Sequence, residues 1–278
     1  IKVSLIVLLF GLPTVLLILF LHIVLTDMKI NIKDIADNFI KWYRNAEFTP
    51  TGNVFDIGRT TIQSLAKYEL NIDKATMCGE NTISSNGNGS LMRILPIAYY
   101  SYSKKLKDNE IMEIVRATSS ITHRHEISII GCYIYVKYAI EILKGNTILG
   151  AYRTIQQLDY SCYSSDNLSK YDRILKDDIS NYSIDEIKST GYIVDTLEAV
   201  IWVLLNTDTY NEAILKAINL GIDTDTIGAC TGGLAGAYYG IDTINQEWKH
   251  SLLRYDYIVE LCNKFDKAIN KPSKGAKK

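Results

Sequence analysis

The sequence predicts an all-α fold, and two observations carry that prediction. Apolar residues recur at three- and four-residue intervals in several segments, and helix-capping residues precede many of these segments. No stretch alternates apolar and polar residues for the length of a strand, and no β-hairpin signal is present. With 278 residues and 47% hydrophobic content, the chain can fill one large core. We therefore expect a single compact, multi-helix domain.

The first two predicted helices lie between residues 31 and 70. Asn31 is a capping residue, and the apolar residues after it recur with helical spacing as far as Tyr43. A second helix is predicted from about Asp56 to Leu70, with Asp56 as its cap. The following segment, residues 77–90, is poor in apolar side chains and predicts an extended loop.

Two further helices are predicted in the middle of the chain. Asp108 is expected to cap a helix that runs through Thr118. A long helix is expected from about Glu126 to Lys144, closed by Gly145, because glycine favours the left-handed conformation that ends helices.

The segment Thr122-His123-Arg124-His125-Glu126 precedes the long helix. Two histidines and a glutamate would suit zinc, but no further Cys or His lies at metal-ligand spacing. We expect instead that one histidine contacts a ligand or caps the helix.

The C-terminal half carries several helix signals. Ser183-x-x-Glu186 and Thr209-x-x-Glu212 have the pattern of capping boxes. The segment 191–202 is apolar on several faces, which predicts a central buried helix. The helix expected after Asp225 is rich in glycine and alanine; glycine costs helix stability, so close helix packing is expected there.

A glycine-rich turn, Asn86-Gly87-Asn88-Gly89-Ser90, leads into an apolar element. Glycines allow backbone N–H groups to approach an anion such as a diphosphate. The alternative interpretation is a plain turn without a ligand.

The segment Asp223-Thr224-Asp225-Thr226 lies where a helix is expected to begin. Two carboxylates and a hydroxyl offer hard oxygen ligands that suit Mg²⁺ or Mn²⁺. Asp and Thr are also ordinary N-cap residues, so helix capping is the alternative interpretation.

Composition narrows the classes of function. A formal net charge of -1 gives no electrostatic footprint for nucleic acid, and the basic tail, residues 266–278, is typical of a solvated terminus. Five widely separated cysteines favour reduced thiols in an intracellular, cytoplasmic protein over a disulfide framework.

Residues 1–26 form an apolar N-terminal segment that has no charged side chain from Val3 to Thr26. Its length would allow a membrane anchor, but Gly11, Pro13 and His22 interrupt the run. The alternative interpretation is that residues 1–26 are not the native beginning of the protein. The main domain is expected over residues 27–265.

Several segments together resemble the ADP-ribosylglycohydrolase family, from about residue 27 to residue 261. They are Phe55-Asp56-Ile57-Gly58-x-Thr60-Thr61, Asn88-Gly89-Ser90-Leu91-Met92-Arg93, Thr122-His123, Gly191-Tyr192-x-Val194-Asp195-Thr196-Leu197-Glu198-Ala199 and Asn219-Leu220-Gly221-x-Asp223-Thr224-Asp225-Thr226. The resemblance implies a compact all-α domain with two Mg²⁺ or Mn²⁺ ions in a central cleft. It also implies hydrolysis of the bond between ADP-ribose and a protein side chain or small acceptor.

The resemblance also implies roles for individual residues. Asp223, Asp225 and Thr226 would be metal ligands, and Asp56 would be a catalytic or positioning group at the distal ribose. The predicted substrate-binding residues are Gly87, Asn88, Gly89 and Ser90 at the diphosphate, His123 at the ligand, and Tyr192 at the adenosine end.

The sequence departs from the family at one point. The family has a second metal motif, a Thr or Ser followed by two Asp and another Thr or Ser, ahead of the helix that here follows Asn31. The aliphatic run of residues 3–26 occupies its place. Three hypotheses follow: a chain whose true beginning was lost, a pseudoenzyme, or a membrane-tethered member that recruits metal differently.

Three functional alternatives to the hydrolase remain at this point. The chain could bind ADP-ribose without turnover, or be a structural protein, since the fold resembles certain lens crystallins. A two-metal phosphohydrolase is a more distant alternative, because the usual His-Asp dipeptide is absent.

Overall fold

The computed structural model describes residues 30–49 and 51–269, so the predicted segment 1–26 and the tail from residue 270 onward lie outside it. The chain forms helices joined by short turns, as predicted. The α-helices are α1 (Ile32–Asn45), α2 (Arg59–Glu69), α3 (Ala75–Cys78), α4 (Leu95–Lys104), α5 (Asp108–Ser119), α6 (Glu126–Leu143), α7 (Ile148–Gln156), α8 (Ser165–Leu168), α9 (Asp172–Leu175), α10 (Ile193–Leu205), α11 (Tyr210–Asn219), α12 (Thr224–Tyr239), α13 (Gln246–His250) and α14 (Tyr255–Ile269).

No β-strand is present in the described ranges; two isolated bridges, Glu80 with His123 and Gly87 with Tyr192, are the extended pairings there. The all-α prediction is confirmed. Short 3₁₀ turns connect several helices, including Ile83–Ser85 within the predicted loop and Leu91–Arg93 after the glycine-rich turn.

Helix α1 begins where its sequence predicts. The Asn31 side chain accepts a hydrogen bond from the Lys33 backbone N–H at 3.1 Å, which satisfies one free donor of the first turn. The apolar face of α1 packs against α2 and α3 in a small separate core. Its buried members are Ile35, Ala36, Phe39, Trp42, Leu65, Ala75 and Ile121.

Two predicted caps are wrong. Helix α2 begins at Arg59 with Gly58 at its N-cap, whereas Asp56 lies outside the helix in the left-handed conformation, with φ of 49°. Helix α5 has Lys107 at its N-cap, and Asp108 is the first helical residue. At the start of α5, an aspartate is stabilising both at the N-cap and at the first helical position, because both lie at the positive end of the helix, so sequence alone separates the two positions poorly.

Helices α6, α10 and α12 form the centre of the main core. Helix α6 packs against α4, α5, α7, α10 and α12, and almost every one of its side chains is buried. Helix α10, the predicted central helix, begins at Ile193 and extends to Leu205. Burial of these helices on several faces removes a large apolar area from water, which is the main stabilising contribution to such a core.

Glycines permit close approach at two of these helix contacts. A Cβ on Gly228 of α12 would lie 3.2 Å from Ile218 Cγ2 of α11, which confirms close packing at that position. A Cβ on Gly131 of α6 would lie 2.5 Å from the Tyr171 hydroxyl oxygen, closer than atoms in contact can approach.

Of the two predicted capping boxes, Ser183-x-x-Glu186 forms in full, whereas Thr209-x-x-Glu212 forms only its threonine half. Both the backbone N–H and the hydroxyl of Ser183 donate to Glu186 at 2.8 Å, although this box opens only a single 3₁₀ turn. Thr209 Oγ1 accepts from the Glu212 N–H at 3.2 Å, while the Glu212 carboxylate accepts from the Asp208 N–H at 3.1 Å.

The five cysteines are free thiols, four buried and Cys162 exposed. Within residues 30–49 and 51–269, no helix combines the length and apolar character that crossing a membrane requires.

Candidate functional site

The glycine-rich turn lies against the start of α10. Gly87 pairs with Tyr192 in an antiparallel bridge, and the Asn88 N–H donates to the Gly191 carbonyl at 3.0 Å. The Ile193 N–H in turn donates to the Asn86 carbonyl at 3.0 Å. The predicted diphosphate turn and the predicted adenosine contact, Tyr192, are therefore adjacent.

The side chain of Asn88 orients Asp223 through a hydrogen bond. Its Nδ2 donates to Asp223 Oδ2 at 2.6 Å and to Thr196 Oγ1 at 2.9 Å. Gly191 lies against the same carboxylate, because a Cβ there would be 3.2 Å from Asp223 Oδ2. Asn88 is buried, and both of its amide hydrogens are used, so its side chain links the glycine-rich turn to α12.

Asp223 occupies the N-cap position of α12, but its side chain makes no capping hydrogen bond. The Asp223 side chain therefore does not cap α12, whereas the Asp225 carboxylate accepts backbone hydrogen bonds from the first turn. The preceding residues Gly221 and Ile222 both have positive φ, 84° and 56°, and they set the direction from which Asp223 enters the helix. An exposed isoleucine in this conformation is strained, since its β-branched side chain crowds the backbone.

Asp223 and Asp225 lie close enough to hydrogen-bond to one another. Partial burial, followed by this contact with Asp223, raises the pKa of the Asp225 carboxyl. Thr226 is buried beside them. The described ranges hold no group of three His, Cys, Asp or Glu side chains that could surround a metal. Two carboxylates and a hydroxyl fit part of the oxygen shell of Mg²⁺, which usually keeps several waters.

His123 faces the glycine-rich turn. A Cβ on Gly89 would lie 2.9 Å from His123 Cε1 and 3.6 Å from Thr61 Oγ1, and one on Gly87 would lie 3.7 Å from His123 Nε2. His123 is buried, and burial, together with the nearby charge of Arg93, lowers its pKa to about 3. The imidazole is therefore neutral at physiological pH.

His125 lies at the N-cap of α6. Its Nδ1 accepts from the Ile127 N–H at 3.3 Å and faces the Asn86 amide nitrogen at 3.1 Å, so it caps α6. The expectation that one histidine contacts a ligand or caps the helix is met by His125, which caps α6; the ligand contact of His123 stays a prediction.

Two predicted site residues are placed differently from the rest. The Ser90 hydroxyl is fully buried and lies 3.4 Å from the Cys132 thiol, so its side chain points into the core. Asp56 is exposed and has no hydrogen bond to another site residue in the described ranges. Its acid–base role stays a prediction.

Three predicted site residues and one further residue, Thr61, lie near four helix starts around the glycine-rich turn. Thr61 lies in the first turn of α2, His123 just before α6, Tyr192 at the N-cap of α10 and Asp223 at the N-cap of α12. Helix N-termini carry partial positive charge and free N–H groups, which favour an anionic ligand.

A family model for ADP-ribosylglycohydrolase matches residues 12–275, almost the whole chain. The chain belongs to the ADP-ribosylglycohydrolase family. The resemblance predicted from the motifs is thereby confirmed.

Two relatives illustrate the family. The chain is 30% identical over 240 residues to "ADP-ribosylarginine hydrolase Tri1" of Serratia proteamaculans, covering 84% of this chain and 60% of that protein. It is 25% identical over 223 residues to "ADP-ribosyl-[dinitrogen reductase] glycohydrolase" of Rhodospirillum rubrum, covering 80% and 67%. The chain thus spans about 60% of the length of the first of these relatives.

A solved structure described as an "ADP-ribosylglycohydrolase-related protein complex" superposes with a TM-score of 0.70 at 23% identity. The match covers 92% of this chain and 80% of that one. At this identity it supports the ADP-ribosylglycohydrolase fold and nothing further.

Two buried charged residues of this ADP-ribosylglycohydrolase domain lie within the sequence motifs but are not among the predicted site residues. Arg93 is a fully buried arginine next to the glycine-rich turn, and Glu198 is a buried glutamate in α10. Glu198 lies 3.1 Å from Arg173, yet burial outweighs that ion pair and raises its pKa to about 7. In the sequence, both Arg93 and Glu198 are charged residues inside otherwise apolar segments, and this pattern could have indicated them.

Two surface cavities lie away from the predicted site. One of about 410 Å³ is lined by residues that include Ser101, Lys137 and Lys144, and one of about 600 Å³ lies between α1 and the segment 68–75. Neither is lined by a predicted site residue of the ADP-ribosylglycohydrolase motifs.

Proposed function

We propose that this chain is a hydrolase that releases ADP-ribose from a modified protein side chain, with a divalent cation, Mg²⁺ or Mn²⁺, as cofactor. The observation that carries the proposal is that His123, Tyr192 and Asp223, each at or just before a helix start, meet at one glycine-rich turn that contains Asn88. Family membership supports the reaction class. The relatives' names make ADP-ribosylarginine the first modification to test.

The diphosphate of ADP-ribose would lie on the Gly87–Ser90 turn. Backbone N–H groups and helix N-termini provide the positive potential that an anion requires. Because the Ser90 hydroxyl is buried and the Asn88 amide is occupied, the turn would hold the anion through backbone groups rather than these side chains. Tyr192, half-buried beside Gly87, would contact the adenosine end.

Asp223, Asp225 and Thr226 would hold the cation, with Asn88 fixing the orientation of Asp223. When bound, a divalent cation supplies Lewis-acid chemistry at the ribose and its hydrolytic water. The carboxylates themselves would stabilise positive charge that develops on the ribose during cleavage. The neutral His123 would hydrogen-bond the ligand without adding charge.

A second candidate function is ADP-ribose binding without turnover. It is favoured by the small donor set, because the described ranges provide two carboxylates and one hydroxyl where a two-metal centre needs more. Under this alternative the turn and His123 still bind the nucleotide, but release is absent.

The test measures release of ADP-ribose from an arginine-modified protein by the full chain, with Mg²⁺, Mn²⁺ or a chelator. Asp225→Asn should lower release by about 100-fold or more, since a cation ligand at the reacting centre is lost. Asp242→Asn, an exposed aspartate just after the other end of α12, is the matched control and should leave release unchanged.

Calorimetry with ADP-ribose separates the alternatives. Binding without release would favour the binding protein, and neither binding nor release would favour a structural role. Release at the full rate in chelator would contradict the roles given to Asp223 and Asp225.

A further inference from the structure

Arg93 is a buried cation without an acidic partner among the described residues. It is 1% exposed, and its guanidinium donates to the Gly89 carbonyl at 2.7 Å and to Thr122 Oγ1 at 2.6 Å. Its guanidinium carbon lies 5.0 Å from the centre of the Phe39 ring. Burying a charge is costly unless strong hydrogen bonds compensate, so this placement calls for a specific reason.

The hydrogen bonds of Arg93 have a fixed direction. A guanidinium only donates, so the Thr122 hydroxyl oxygen accepts from Arg93. Thr122 Oγ1 also lies 2.7 Å from His123 Nδ1, and no other acceptor for this hydroxyl is found in the described ranges. The hydroxyl hydrogen therefore points to Nδ1, which must be unprotonated to accept it.

A neutral imidazole that accepts at Nδ1 carries its proton at Nε2. The Nε2 edge of His123 faces the glycine-rich turn: Cβ atoms placed on Gly89 and Gly87 would lie 3.3 and 3.7 Å from Nε2. The same guanidinium that sets the tautomer also holds the Gly89 carbonyl. One side chain thus fixes both the turn and the proton that faces it.

We propose that Arg93 is a positioning residue that acts through the Thr122 hydroxyl to hold His123 as the Nε2–H tautomer, with that N–H presented to a diphosphate oxygen of the ligand. The part that concerns the ligand rests on the proposed function. The assignment of the tautomer is independent of the proposed function. A neutral donor suits this position because it hydrogen-bonds the anion without the cost of burying a second cation beside Arg93.

The tautomer is measured by NMR on the full chain labelled with ¹⁵N at histidine. His123 should show an unprotonated Nδ1 and a protonated Nε2, with no titration between pH 5 and pH 8. In Thr122→Val, which preserves shape and removes the hydroxyl, the His123 ring should lose this preference. Thr122→Ser should retain it. A protonated Nδ1 in the wild-type chain, or an unchanged ring in a folded Thr122→Val, would overturn the inference.

A second measurement tests the ligand-facing N–H. ADP-ribose should shift the Nε2–H resonance of His123, and Thr122→Val should weaken ADP-ribose binding by about tenfold, the equivalent of one hydrogen bond. Thr122→Ser should bind within about twofold of the wild type. Binding that leaves the Nε2–H resonance unmoved would overturn the ligand contact. If ADP-ribose does not bind at all, the proposed function fails, whereas the tautomer result stands or falls on the first measurement.

Discussion

Asn88 and Asp223 are 135 residues apart in the sequence and are joined by a 2.6 Å hydrogen bond from Nδ2 to Oδ2. The bond ties the glycine-rich turn to the start of α12, so the predicted anion site and the predicted cation site form one unit. The second amide hydrogen of Asn88, which donates to Thr196, ties α10 to the same unit.

Asn88→Ala should lower the free energy of unfolding by about 1–3 kcal/mol, because a buried hydroxyl and a carboxylate lose their donor. Asn88→Asp should cost more, since it places a second carboxylate against Asp223. Denaturant unfolding at pH 7.5 measures both variants. Lower pH should recover part of the loss in Asn88→Asp but little in Asn88→Ala, since protonation of one of two adjacent carboxylates removes their repulsion. Equal losses in the two variants would contradict the geometry.

Gly89→Ala should displace the His123 ring. The added Cβ would lie 2.9 Å from His123 Cε1, and the buried ring has little room to retreat. We expect a loss of about 1–3 kcal/mol in unfolding free energy, as for other overpacked sites. Gly87→Ala is the matched comparison, because its Cβ would meet His123 only at 3.7 Å. Thermal unfolding of both variants should therefore rank Gly89→Ala as the less stable; the opposite order would be inconsistent with the structure.

The helices were predictable because their signals are local. Asn31 caps α1 through a residue two positions away, and the apolar run in α10 alone indicates burial on several faces. The predicted start of α2 is wrong because Asp56 adopts a left-handed conformation, which residue spacing does not reveal.

The site was predictable only in part. Motifs identified Asn88, His123 and Asp223, but their contacts join segments far apart in the chain. The hydrogen-bond partners of Arg93 are two backbone carbonyls and a threonine hydroxyl, and none of them has a distinctive pattern around it in the sequence. The inward direction of the Ser90 hydroxyl likewise depends on packing against Cys132 in α6.

Glu198 should make stability depend on pH. Its folded pKa, raised to about 7 by burial, lies above the ordinary value of 4.5, so the folded state binds the proton more tightly. This contribution is fully present below about pH 4.5 and is lost as the pH rises through 7. A loss of about 2–3 kcal/mol is expected across that range. Glu198→Gln should remove this part of the profile.

Unfolding free energy measured from pH 5 to pH 8 tests this expectation. Glu113→Gln, an exposed glutamate on α5, is the control and should keep the wild-type profile. A Glu198→Gln variant with an unchanged pH profile would show that Glu198 is ionised throughout, through its ion pair with Arg173.

Replacement of Ile222 should relieve backbone strain beside the predicted cation site. Ile222 has φ of 56° and is 79% exposed, so its side chain contributes little packing while its backbone is in a conformation unfavourable for β-branched residues. Ile222→Asn should raise the free energy of unfolding by about 1 kcal/mol, because asparagine tolerates this conformation better. Ile83→Asn, at another exposed isoleucine without positive φ, is the control and should give no such gain. Equal effects in the two variants would indicate that lost surface hydrophobicity, and not relieved strain, is responsible.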